Sequence, residues 1–83
     1  MTLPDLMNYL NQGREIELSI DGQAFFLSPI YSQGISSGEY GIYDNQKQCC
    51  IFAGSKTEIL EYQFFPDVSF SKALYKFSFD YVL

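Results

Sequence analysis

The stretch that decides the fold runs from residue 14 to residue 28, REIELSIDGQAFFLS. Ile16, Leu18 and Ile20 alternate with Glu15, Glu17 and Ser19, the period-two pattern of a strand with one apolar face. Asp21-Gly22 is a preferred pair for a two-residue type I′ turn, in which both residues take positive φ. Turn and alternation give the same register: Ile20 opposite Gln23, Leu18 opposite Phe25, Ile16 opposite Leu27. One face of this hairpin carries Ile16, Leu18, Ile20, Phe25 and Leu27. The other carries Glu15, Glu17, Ala24 and Phe26, and it sets an aromatic ring opposite Glu17 on what should be the wetter side.

Before the hairpin, residues 2–13 read as a helix. Thr2 caps it with Asp5 three residues on, Pro4 sits in the tolerant first turn, Leu3, Leu6, Met7 and Leu10 recur at helical spacing, and Gly13 stops it. After the hairpin, residues 29–37, PIYSQGISS, read as a loop, because Pro29 ends a strand and Gly34, Ser36 and Ser37 break periodicity. Ile30, Tyr31 and Ile35 are apolar for a loop; they either tuck onto the body or face a partner. In GEYGIYD, Tyr40 and Ile42 share one face, and Glu39 and Tyr43 the other. DNQK is a turn, and QCCIFAG is a short strand whose facing is ambiguous. Ser55 and Glu58 form a capping box that starts a second helix running to Gln63. Pro66 interrupts; residues 71–77 suggest a third short helix, with Ala73, Leu74 and Phe77 inward, and Phe79, Tyr81 and Leu83 alternate as a terminal strand would.

The order of elements gives an α+β fold: an N-terminal helix, an antiparallel meander of three or four strands, then one or two C-terminal helices and a candidate terminal strand. Eighty-three residues make one domain. A chain this short buries only about 60–65% of its unfolded surface. Its eight Phe and seven Tyr therefore crowd a small core, and spare rings on the surface would point to a partner.

Charge and composition narrow the function. Ten acids against five bases leave a net charge of −5, the wrong sign for coating nucleic acid directly. There is no His, which removes the commonest general base and metal ligand. Cys49 and Cys50 are adjacent; strand alternation would turn one inward and one outward as free thiols, suited to a reducing compartment, and without His they close no zinc site. Residues 1–20 lack the basic start and apolar run of a secretory leader, and no stretch approaches the ~18 apolar residues of a membrane span. The expectation is a soluble cytoplasmic protein, with no membrane partner and no cofactor. Asp44-Asn45 lacks the remaining residues of a calcium loop, and no phosphate-binding glycine motif or activated serine motif occurs.

What remains is Glu15 and Glu17, joined by Phe26, Tyr43, loop residue Tyr31 and Glu39, on or beside an open sheet face. Carboxylates on a flat strand surface have no cavity to shift their pKa, which favours a solvated face over acid–base chemistry. Tyrosine favours interfaces, and acids beside it attract a basic partner. The alternative is that these rings cover one another or pack under the C-terminal segment.

The segment LMNYLNQGREIELSIDGQAFFLSP resembles small uncharacterised proteins of Gram-positive bacteria and their mobile elements. The likeness lies in the short helix Leu6–Leu10, the strand Gly13–Glu17, the Asp21-Gly22 turn and the aromatic pair Phe25-Phe26, with the Ser55–Leu60 capping-box helix following. It implies a fold. A looser architectural likeness is to small acidic anti-CRISPR proteins, which have a leading helix, a three-stranded sheet and trailing helices. That likeness implies a decoy docked in a basic DNA-reading channel, with a Cas-type nuclease as partner.

The leading expectation is a non-enzymatic protein-binding module that docks Glu15, Glu17, Phe26, Tyr31, Glu39 and Tyr43 on a basic surface. A homodimer built on the same face is the second, and a small enzyme or carrier using Cys49 or Cys50 the third.

Overall fold

In the computed structural model, which describes residues 1–83, the hairpin forms as the alternation requires. Strand β1 (Ile16–Ile20) pairs antiparallel with β2 (Gln23–Ser32) through Ile16–Leu27, Leu18–Phe25 and Ile20–Gln23. Asp21 and Gly22 take φ of 50° and 78°, the paired positive values of a type I′ turn. Helix α1 (Leu3–Asn11) starts where Thr2 Oγ accepts the Asp5 N–H at 3.2 Å. It ends at Gln12, where Gly13 turns the chain away at φ +70°. Leu6 and Leu10, one turn apart, are its buried residues.

Residues 29–37 are not a loop. β2 continues through Pro29 to Ser32, and β3 (Ile35–Asp44) returns beside it, joined by Gln33-Gly34 with φ of 54° and 79°. Pro29 is tolerated because it lies past the end of β1, with only β3 alongside, at a register irregularity between Pro29 and Tyr31. Here the tertiary ladder outweighs the local breaking signal. The turn DNQK closes onto β4 (Cys49–Ser55).

Ser55 then caps α2 (Lys56–Glu61) by the expected reciprocal box, Glu58 N to Ser55 Oγ at 3.1 Å and Ser55 N to Glu58 Oε1 at 3.0 Å. α2 stops two residues short of Gln63. The suggested third helix is instead two 3₁₀ turns, Phe70–Lys72 and Leu74–Lys76. The tail is a true strand, β5 (Ser78–Val82), and it pairs with β1. The sheet is thus five-stranded and fully antiparallel, in the order β4-β3-β2-β1-β5.

The chain between β4 and β5 and the N-terminal helix supply the core on one side of this sheet. Ile16, Leu18, Phe25, Leu27, Tyr40 and Ile42 from the strands meet Leu6, Leu10, Ile59, Phe70, Ala73, Leu74 and Phe77. Phe64 is the hub of an aromatic cluster, with ring centroids 4.9–5.1 Å from Phe25, Tyr62, Phe70 and Phe77. Burying such rings at about 25 cal/mol per Å² of apolar surface is the main source of stability in so short a chain. No helix is long and apolar enough to cross a membrane.

Candidate functional site

Both helices and both 3₁₀ turns contribute to the core on one face, which leaves the other face of the sheet open. Side chains on paired residues of adjacent strands project from the same face. On the outer face this produces one row across the whole sheet: Tyr81 on β5, Glu17 on β1, Phe26 on β2, Tyr43 on β3 and Cys50 on β4. Glu17, Phe26 and Tyr43, named from sequence, are therefore neighbours, and all three are half-buried. Neither Phe26 nor Tyr43 belongs to any of the close ring pairs, all of which join rings of the covered side.

The other three expected residues do not join this row. Tyr31 lies on the covered side. It borders a recess of about 270 Å³ formed with Leu10, Gly13, Pro29, Tyr40 and Lys56. Its facing follows from the strand that replaces the expected loop: Tyr31 alternates with Pro29 and Leu27, not with Phe26. Glu39 is exposed, opposite Ser55, and borders the same recess. It is four residues from Tyr43 along β3, about 13 Å. Glu15 precedes β1, and its backbone carbonyl accepts the Leu83 N–H at 2.8 Å. Its charge lies close enough to Tyr40 to act on that phenol.

That phenol is the most perturbed group in the recess. The Tyr40 hydroxyl donates to the carbonyls of Arg14 at 2.9 Å and Leu10 at 3.2 Å. Burial, then the charges of Tyr31 and Glu15, push its pKa up to about 12. Tyr40 is a tie between the end of α1 and β3, not an acid–base group at neutral pH.

Asp44 sits at the far end of β3, 2% exposed. Its Oδ1 accepts the N–H groups of Gln46 at 2.9 Å and Lys47 at 3.1 Å, and its Oδ2 accepts the Gln23 amide at 3.1 Å. The Lys47 N–H foremost, then the Gln46 N–H, the Gln23 amide and the Lys47 charge, hold its carboxyl below the ordinary range against the opposing cost of burial. Asp44 fixes its turn as a side-chain-capped structure.

Tyr81 was not among the expected residues. Simple alternation puts it with Phe79, but a bulge between Glu17 and Leu18 sets Phe79 opposite Leu18 and Tyr81 opposite Glu17. Phe79 faces the core and Tyr81 faces out, 62% exposed. The same irregularity brings Asp80 to Ser19, whose hydroxyl donates to Asp80 Oδ2 at 2.9 Å. Both cysteines are exposed, contrary to the expected inward–outward pair. The two still alternate, Cys49 opposite Asp44 and Cys50 opposite Tyr43, but they open an edge strand, and both are left exposed.

None of the five basic residues, Arg14, Lys47, Lys56, Lys72 and Lys76, lies in a strand, whereas Glu17, Glu39, Asp44 and Asp80 do. The outer row is therefore aromatic with one acid, Glu17, and no cation in its own ladder. Comparison with family profiles, curated proteins and solved structures finds no match to this chain, so the resemblances drawn from its motifs rest on those motifs alone.

Proposed function

We propose that this chain is a non-enzymatic binding module that docks its uncovered sheet face onto a basic protein surface. The observation that carries this reading is the row Tyr81–Glu17–Phe26–Tyr43 on a face bare of helices, with no basic residue in its strands. Aromatic rings give contact area at low entropic cost, and fixed acids steer a cationic partner to them. A channel that reads DNA phosphates is a basic surface of this kind, which keeps the acidic-decoy analogy as the concrete case: an inhibitor of a host nucleic-acid enzyme such as a Cas-type nuclease, encoded by a phage or mobile element. Two copies meeting through this face would bring like charges together, which disfavours the homodimer reading.

The test is a Glu17→Ala/Phe26→Ala double variant, compared with the wild type in capturing partners from a bacterial lysate at low and moderate salt. Neither residue is part of the core, so circular dichroism should be unchanged. A stoichiometric partner that rising salt releases, and that the double variant fails to hold, is the expected result. Equal capture by both proteins removes this face from consideration.

A further inference from the structure

Between Phe26 and Tyr43 the open face is not flat. A depression of about 340 Å³ lies there, walled by the two rings and rimmed by Ser28, Asp44, Asn45 and Gln48. Gly41 gives it this form. Gly41 belongs to the outer face, opposite Ser28 and Ala53, yet it is buried. The Tyr43 ring covers it: a Cβ at Gly41 would come within 2.7 Å of Tyr43 Cε2 and 2.9 Å of its hydroxyl oxygen. The tyrosine thus lies along β3, and Phe26 stands opposite it on β2 with Glu17 on its far side. Of the chain's own cations, Arg14 stacks on Tyr9 and Lys76 on Phe65 and Tyr75, while Lys47 lies in the turn beside the depression, where its charge acts on Asp44.

Resting on the docking reading above, we infer that this depression is the anchor site for an arginine side chain of the partner. Guanidinium is planar and weakly hydrated, so it stacks on aromatic faces where a strongly hydrated ammonium gains less. Its five donors match a rim of hydroxyl and amide oxygens from Ser28, Asn45 and Gln48. Glu17 supplies the opposite charge one register position away. The occupant is thus an arginine on a basic protein surface, with the carboxylates of Glu17 and Asp44 as its charge complement.

The experiment titrates the full chain with two glycine-spaced peptides of equal charge, one built on arginine and one on lysine, by fluorescence anisotropy. The arginine peptide is expected to bind at least about threefold more tightly, the scale of an exposed cation–π contact. Tyr43→Leu, which keeps apolar volume but removes the ring, should erase that preference while leaving charge-driven binding of both peptides. Gly41→Ala, which displaces the ring with no change at Tyr43, should reduce it too. Equal binding of the two peptides overturns the arginine anchor and leaves the acidic face standing. No binding of either overturns both readings. A preference that survives in Tyr43→Leu places the arginine elsewhere and also overturns the inference, as does binding lost through self-association when protein concentration rises.

Discussion

Replacing Tyr40 with Phe removes one oxygen atom from the joint between α1 and the sheet. The ring stays and the apolar packing is unchanged, so the cost is that of the hydroxyl's bonds to the Arg14 and Leu10 carbonyls. The Leu10 carbonyl keeps a second partner, the Gly13 N–H at 3.0 Å, so the Arg14 carbonyl bears most of the loss. A net hydrogen bond is worth about 1 kcal/mol, rising when a buried acceptor is left bare. The recess beside Tyr40 is open to solvent and holds the cost to about 1–1.5 kcal/mol. For a domain of this size that is a fall of about 5–10 °C in Tm.

A second signature lies in alkali. Tyr40 keeps its proton up to about 12 when folded, against 10 when unfolded. The unfolded chain releases it first, so the stability it contributes is complete below pH 10 and is lost as pH rises toward 12. Two pKa steps at about 1.4 kcal/mol each set the upper limit, and solvent access through the recess reduces this to about 1–2 kcal/mol. Thermal melts of wild type and Tyr40→Phe across this range should converge as pH rises. A Tm within about 1 °C of wild type at neutral pH, with an equally steep alkaline decline, would refute the buried-phenol reasoning.

Two further perturbations test the frame around the site. Phe64→Ala removes the ring that joins Phe25, Tyr62, Phe70 and Phe77; urea titration should show a loss of about 3 kcal/mol, a large share of a small domain's stability. Asp44→Asn should flatten the acid limb of the stability curve. The Asp44 carboxyl is held below its ordinary value, so its contribution is complete above about pH 4 and lost as pH falls through the lower folded value. Melts from neutral to strongly acid pH check this, and an unchanged acid limb in the variant would contradict it.

The hairpin from Glu15 to Ser28 was legible because two independent signals, the alternation and the Asp21-Gly22 turn, require one register. The capping box at Ser55 was legible because its chemistry is local. The β2–β3 turn was not. Gln33-Gly34 is a weaker turn signal than Asp21-Gly22, and Pro29 looks like a stop unless β1 is known to end before it. That single misreading sent Tyr31 to the wrong face. The pairing of β5 with β1 joins residues 59 to 66 positions apart, and nothing local records it. The same holds of the two register shifts, opposite Leu18 and near Cys50. The first puts Phe79 and Tyr81 on opposite faces without altering the residue pattern, which is why Tyr81 was missed; both thiols reach solvent because Cys49 and Cys50 open an edge strand. That Glu17, Phe26 and Tyr43 share one face was legible because each lies within four residues of a well-signalled turn.

The most direct measurement of the central claim is a titration of the folded chain with a basic peptide, followed through its aromatic ring resonances by NMR. The rings of Phe26, Tyr43 and Tyr81 are expected to shift saturably, while those of Phe64, Phe70 and Phe77 in the core stay fixed. Shifts confined to Tyr31 and Tyr40 would move the site to the recess on the covered side, and no shift at any of these rings would contradict the account of the open face as a docking surface.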